Sequence, residues 1–364
     1  MTQPATKIAV LGAGSWGTAL AQLYAQAGWA VSLWCRDAAQ AEVMQRSRRH
    51  PRFFPDLTLA DGVRITADLA AAVELASDVL LVVPAKVCVA VAARLQAAGL
   101  PAGAMVINAA KGFAPMPDGA GDNNNNNNNS IHHPSGLLLP ALAAVLPAGQ
   151  PLAVLSGPNF AGEVVRGLPA AATLACADTT LGMAAVERLS LPSYRLYHNS
   201  DVVGVQVGGA LKNVIALAAG MTMGHGLGEN ARAALITRGL AEMARLAEAM
   251  GGQRTTLMGL SGLGDLLLTA TSEQSRNYRL GLKLGRAGQS LAELTAATVT
   301  DVSNAASAQE TVEGVGSAAL LADLCQRYGV ELPLAGAVQQ LLTGQIPLAA
   351  VAQQLLTRPY RAEG

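Results

Sequence analysis

A single lysine dominates the stretch DVVGVQVGGALKNVIALAAGMTMGHGLGE, Asp201 to Glu229. Between those two acids Lys212 is the one formal charge, set among Val, Ala, Leu and Ile. The apolar residues from Val205 to Ala219 predict a helix, with Lys212 on or beside its packed face. Burying an ammonium ion is costly unless something compensates it. Desolvation favours the neutral form, which suits a general acid or base working near neutral pH. A lysine that snorkels a wet head to the surface is the alternative. Asn213 follows it, and Gly208 and Gly209 one turn earlier are expected to leave room for a ligand against the helix. Further on, GLSGLGD suggests a tight turn at Gly262 and Gly264 that presents Asp265, a carboxylate able to hold the lysine in position. Ser275, Arg276 and Asn277 then open another helix running to Gly285. Arginine, hydroxyl, amide and free N–H groups at a helix start suit a phosphate monoester. Plain capping by Ser275 is the alternative there.

The N-terminal part carries a second kind of chemistry. Lys7 to Leu11 is a short apolar strand, followed at once by Gly12-Ala13-Gly14-Ser15-Trp16-Gly17 and a helix from Thr18 to Ala27. In that context G-x-G-x-x-G marks a dinucleotide site. Gly12 permits the tight turn, Gly14 lets the backbone approach a pyrophosphate, and Gly17 lets helix pack on strand. The amides of Ser15 and Trp16 would face the phosphates. The second strand, Ala30 to Trp34, ends in Cys35-Arg36-Asp37. An arginine at that tip accommodates the 2′-phosphate of NADP, and a carboxylate binds the ribose hydroxyls of NAD. Arg36 comes first, so NADP is the preferred expectation, with NAD kept open by Asp37.

These groups need a scaffold. Asp78 to Val83, Met105 to Ala109 and Leu152 to Leu155 are further continuous apolar strands, which predicts a parallel sheet covered on both faces. Ligands lie outside the carboxyl ends of such strands. Gly14, Pro84, Lys111 and Gly157 would line that edge, where Lys111 either neutralises a phosphate or is simply exposed. Gln45 to Pro55 (QRSRRHPRFFP) reads as a basic surface loop. Beyond about Val203 the strand pattern gives way to helices, such as Asn230 to Met250 before Gly251-Gly252. The expected fold is therefore an α/β, Rossmann-type doubly wound sheet over residues 1–200, followed by an all-α domain over 201–364.

Composition narrows the classes. With 364 residues, zero formal net charge and 14% charged residues, no basic footprint points to nucleic acid. Cys35, Cys88, Cys176 and Cys325 have no metal or redox spacing, as in a reducing cytosol. The N-terminus runs straight into a strand, and the central lysine and glycines of the Lys212 segment argue against a membrane span. A cytoplasmic location is the expectation. Asn123 to Asn129 is an unbroken asparagine run that cannot build a core. His132 and His133 have no partner ligands for a metal site, so no metal is expected.

Taken together, these residues resemble the NAD(P)-dependent glycerol-3-phosphate dehydrogenase family, bacterial type, over nearly the whole chain. The matching motifs are GAGSWGTALA, the lysine of AAKG, LSGPNFA, VGGALKNVIA, NARAALITRGLAEM, GLSGLGDLLLT and SRNYRLG, in the family's order. The resemblance implies reversible reduction of dihydroxyacetone phosphate to sn-glycerol 3-phosphate, with Lys212 as general acid/base. It places Lys111, Gly157, Asn159, Lys212, Asp265, Ser275, Arg276 and Asn277 on substrate-contacting positions. Ser15, Trp16, Arg36, Lys111, Ala161, Arg276, Thr311 and Glu313 fall on cofactor-contacting ones. A homodimer and a role in supplying glycerophospholipid synthesis are implied by the family alone. Asn159 departs from the family's threonine or serine, and Thr295 to Ser307 reads as a polar insertion. The E-G-x-R motif appears as Glu313-Gly314-Val315-Gly316, without its arginine. The rivals are a hydroxy-acid dehydrogenase of the same two-domain plan and a non-catalytic NAD(P)H sensor. The first has less use for Ser275-Arg276-Asn277, the second none for Lys212 with Asp265.

Overall fold

A computed structural model of the chain describes residues 7–115, 134–288, 312–347 and 350. The asparagine run, His132, His133, the segment from Thr295 to Ser307 and Thr311 lie outside the described residues. The chain divides into two compact units, Met1–Gln206 and Val207–Gly364.

The first unit is built on one sheet. Its strands are β1 (Lys7–Leu11), β2 (Ala30–Trp34), β3 (Val63–Thr66), β4 (Asp78–Leu81), β5 (Met105–Asn108), β6 (Leu152–Ser156), β7 (Ala170–Ala175) and β8 (Tyr194–Asn199). They lie in the order β3-β2-β1-β4-β5-β6-β7-β8. Alternation within β1 sends Ile8 and Val10 into one hydrophobic core and Ala9 and Leu11 into another, so both faces are covered. The helix Ser15–Gln26 buries Leu20, Leu23 and Tyr24 in the first of these cores.

The sheet differs from a wholly parallel one at a single pairing. β6 and β7 run antiparallel, with Leu155 opposite Leu174, whereas every other neighbour pair is parallel. The link between them holds only the short helix Ala161–Val164 and the Gly167 turn, too little for a full crossover. β7 (AAATLA) has little β-branched character, and β8 (YRLYHN) alternates buried and exposed residues as an edge strand does. Neither carries the continuous apolar run that marks β1 or β4.

The basic stretch Gln45 to Pro55 is not a free surface loop. Its first residues finish the helix Ala38–Ser47. Arg48 then turns the chain in the left-handed region at φ 54°, and its guanidinium donates to the carbonyls of Val63 (2.7 Å) and Ala60. His50 is completely buried. Arg46, Arg49 and Arg52 do face solvent. Backbone acceptors on neighbouring segments thus claim part of a stretch whose composition reads as solvated.

Among the described residues the second unit has helices and no strand. The helix Val202–Gly224 begins in the first unit and supplies the second with its core. It is long and apolar enough to cross a membrane, yet 94% of its most apolar window is buried within the protein. That coverage depends on glycine. A Cβ on Gly220 would collide with the Tyr278 carbonyl, and one on Gly281 with the Leu217 carbonyl. Gly224 and Gly285 repeat the pattern one turn on, against Leu282 and Met221. The helix Arg276–Ala287 therefore lies backbone to backbone against the Lys212 helix, closer than any side chain would allow. Glu242, buried on Gly228–Ala249, accepts from the amides of Leu334 (2.7 Å) and Ala335 (3.0 Å), capping the helix Pro333–Leu342.

Candidate active site

In the first unit the glycine turn has the form its spacing predicts. Gly12 sits at φ +124°, and a Cβ there would lie 2.8 Å from the Val82 carbonyl oxygen, so only glycine fits. A Cβ on Gly17 would strike the Gly12 carbonyl, which sets how closely helix meets strand. Gly14 is the contrast, with nothing within 4 Å of its missing Cβ. It caps the helix Ser15–Gln26 without a side chain, leaving the first-turn amides of Ser15 and Trp16 without partners inside the helix. An open backbone cradle with a positive helix end suits a pyrophosphate. Trp16 packs edge-on against Tyr194, ring centroids 6.5 Å apart.

At the tip of β2, Arg36 is exposed and makes no hydrogen bond or ion pair with the described residues. Asp37 is differently engaged, since its Oδ1 accepts from the Gln40 amide (3.1 Å) and caps the helix Ala38–Ser47. Beyond β5, Lys111 Nζ donates to the Gly157 carbonyl (2.7 Å). Gly157 has φ +149°, and a Cβ there would press on Ala172 of β7 at 2.9 Å. Nearby in sequence, Ser156 Oγ and Asn159 Oδ1 are buried with no hydrogen-bond partner among the described residues. Such orphaned oxygens ask for a donor. Ala161 opens the short helix after them.

The second unit gathers the other reactive groups. Lys212 is 5% exposed, so its head is not the wet one that snorkelling requires. Its Nζ donates to Asp265 Oδ1 (2.5 Å) and to Thr269 Oγ1 (2.8 Å), and the Thr269 hydroxyl in turn donates to the Asp265 carbonyl (2.6 Å). Asp265 is only 1% exposed. A buried charge pair of this kind stands only because opposite charge and a third polar group replace lost water. The turn before Asp265 is a wide π-helical one, Leu260–Gly264, in place of a tight glycine turn. The Gly264 amide reaches back to the Gly259 carbonyl (3.2 Å), and a Cβ on Gly262 would collide with Leu257.

Gly208 does not clear space for a ligand. The Ser261 carbonyl fills the place of its Cβ. The glycine lets the segment carrying Asp265 press against the Lys212 helix, which brings the carboxylate to the lysine. Asn213 Oδ1 accepts from Asn277 Nδ2 (2.9 Å), and Asn277 Oδ1 accepts from the Gly314 amide (2.9 Å). Gly314 of the E-G motif thus closes onto Asn277, and Glu313 is the first residue of its helix. Ser275 Oγ accepts from the Tyr278 amide (3.2 Å), the plain capping bond. Arg276 beside it is exposed. Thiol chemistry is disfavoured, because burial pushes the Cys35, Cys176 and Cys325 thiols up and away from the thiolate.

Two family models cover almost all of the chain. The N-terminal model of NAD-dependent glycerol-3-phosphate dehydrogenase matches residues 7–182, and its C-terminal model matches residues 201–353. The chain belongs to the NAD-dependent glycerol-3-phosphate dehydrogenase family. Among similar members, glycerol-3-phosphate dehydrogenase (NAD(P)+) of Methylobacterium radiotolerans is 45% identical over 361 residues, spanning 98% of each chain. The enzyme of that name from Brucella canis is 41% identical over 360 residues, 98% of this chain and 99% of its own. The crystal structure of glycerol-3-phosphate dehydrogenase from Coxiella burnetii superposes with a TM-score of 0.84 at 36% identity, covering 98% of this chain and 100% of that one.

Neither Thr269 nor His50 is among the site positions expected from the sequence. Thr269 lies four residues after Asp265 on one helix face, a spacing that could have revealed it. His50, whose ring reaches the Ala13 carbonyl (2.9 Å), had no such signal in its basic surroundings.

Proposed function

We propose that this chain reversibly reduces dihydroxyacetone phosphate to sn-glycerol 3-phosphate with NADPH, or with NADH less readily. The observation that carries the reading is the buried cluster of Lys212, Asp265 and Thr269. A lysine held this way can deliver a proton to a carbonyl oxygen as it gains charge, and take it back in the reverse direction. Asp265 orients the ammonium, and Thr269 fixes its direction.

The first unit would hold the nucleotide. The open Gly14 cradle and the amides of Ser15 and Trp16 fit a pyrophosphate, and the unpaired guanidinium of Arg36 fits a 2′-phosphate. When bound, the nicotinamide supplies the hydride. Asp37 already caps a helix with one oxygen, which is why NADP is preferred over NAD here. In the second unit the exposed Arg276 at its helix start suits a substrate phosphate; in the first, family likeness supports substrate roles for Lys111 and Asn159, whose Oδ1 is a buried oxygen able to accept from a hydroxyl. Ser275 and Asn277 support that anchor by capping and by bridging to Asn213. Gly12 and Gly17 shape the cofactor turn, Gly157 the Lys111 contact. Family likeness supports cofactor roles for Ala161, Thr311 and Glu313, a cytoplasmic homodimer, and delivery of product to glycerophospholipid synthesis.

The test is loss of reduced-nicotinamide absorbance with dihydroxyacetone phosphate, run in parallel with NADPH and NADH and against dihydroxyacetone without its phosphate. Oxidation that requires the phosphate supports the reading, and bound cofactor without oxidation removes it in favour of a sensor. Arg36→Ala should weaken NADPH much more than NADH, by about tenfold or more for a lost charge-assisted contact. Equal losses for both would sink the 2′-phosphate role.

A further inference from the structure

We propose that His50 is a positioning residue for the nucleotide turn, acting through the carbonyl of Ala13. This rests on the cofactor reading above. Ala13 lies between Gly12, held at φ +124°, and Gly14, whose surroundings are open. Its peptide therefore belongs to the part of the turn that would meet the pyrophosphate. A carbonyl free to swing there would point a negative dipole at an anion, whereas one tied back leaves the amides facing it.

The ring of His50 is built to tie it back. It is completely buried, and its Nδ1 accepts from the backbone amides of Arg52 and Phe53, both at 3.2 Å. A nitrogen that accepts two hydrogen bonds carries no proton, so the neutral ring has its hydrogen on Nε2. That nitrogen is 2.9 Å from the Ala13 carbonyl oxygen. Burial, and to a lesser degree the Arg52 charge, lowers the ring's pKa, which keeps the accepting Nδ1 available. Phe53 packs on the ring with centroids 4.8 Å apart.

The same nitrogen also meets the helix after β2. The Gln40 side-chain nitrogen lies 3.2 Å from Nε2, a packing contact and not a hydrogen bond with this tautomer, and the Gln40 backbone amide donates to Asp37. One buried imidazole thus packs between the glycine turn, which it hydrogen-bonds, and the helix after the corner that carries Arg36 and Asp37. Any displacement of the ring would disturb a part of the site common to both nicotinamide nucleotides.

The experiment compares wild type, His50→Phe and His50→Gln by titrating NADPH and NADH against nucleotide fluorescence, with kcat measured at saturating cofactor. His50→Phe keeps a ring but has no donor, and should raise Kd for both nucleotides about tenfold, the loss of one buried hydrogen bond. Its kcat at saturation and its KM for dihydroxyacetone phosphate should stay within about twofold, since the reacting groups are untouched. His50→Gln, whose amide can donate to Ala13, should recover most of the affinity. Unchanged Kd in folded His50→Phe overturns the assignment, as does a fall in kcat that matches the rise in Kd. If wild type binds neither nucleotide, the cofactor reading falls and this assignment with it. Should His50→Phe not fold, ring ¹⁵N shifts in wild type must show a protonated Nε2 and a bare Nδ1. The opposite tautomer overturns the proposal.

Discussion

Lys212 shows how one side chain can be tuned by what replaces its water. Lys212 is 5% exposed, and Asp265 at 2.5 Å supplies the opposite charge that stands in for the water it has lost. Thr269 Oγ1 accepts a second hydrogen bond from the ammonium at 2.8 Å and so fixes its direction. Lys212→Ala should leave NADPH affinity nearly intact while turnover falls about 10²-fold or more. It also strands a buried carboxylate, so a loss of about 3–5 kcal/mol in stability is expected alongside. Circular dichroism at assay temperature separates the two effects, and strong turnover in the folded variant would remove Lys212 from the acid/base role. Asn213, next in sequence, is spoken for by Asn277, which makes it a support for the lysine helix more than a free contact.

At the scale of elements, glycine sets distances in both units. Gly12 and Gly17 bring a helix start onto β1, and Gly220, Gly224, Gly281 and Gly285 bring two helices to backbone contact. The second arrangement places the Arg276 helix start by its fit against the Lys212 helix. Gly281→Val would force those helices apart at a cost of about 1–3 kcal/mol, the usual range for overpacking. Its Tm should fall, and KM for dihydroxyacetone phosphate should rise more than Kd for NADPH. A variant with both constants rising equally would mean that the helix contact does not govern the Arg276 end. Gly208 follows the same rule, since it admits the Ser261 carbonyl and through it the whole segment that ends at Asp265.

For the molecule as a whole, the division at Gln206 puts the glycine turn in one compact unit and Lys212 with Asp265 in the other. A ligand that binds only the folded first unit must still stabilise it by mass action. NADPH at about a hundred times its Kd should add about 2.7 kcal/mol, read as a rise in the unfolding temperature. NADH at the same concentration should give a smaller rise if Arg36 meets the 2′-phosphate as proposed. Equal rises would argue that the 2′-phosphate meets no cation. The apolar Lys212 helix has a related whole-molecule reading. Its hydropathy would serve a membrane, but the chain's own packing covers it.

Much of this protein is written locally. The glycine turn, the first two strands, the helical second half, Lys212, Asp265 and the Ser275-Arg276-Asn277 helix start could all be read from residue type and spacing, because turns, caps and periodicity are short-range constraints. The antiparallel β7, the edge strand β8 and the burial of His50 could not. Each depends on which distant backbone supplies hydrogen bonds and cover, and an alanine-rich strand or a histidine among arginines carries no mark of that. Gly208 is the clearest case, since its sequence permits either a ligand or a neighbouring chain beside it. Only the tertiary structure decided for the chain, because close packing leaves room there for a single occupant.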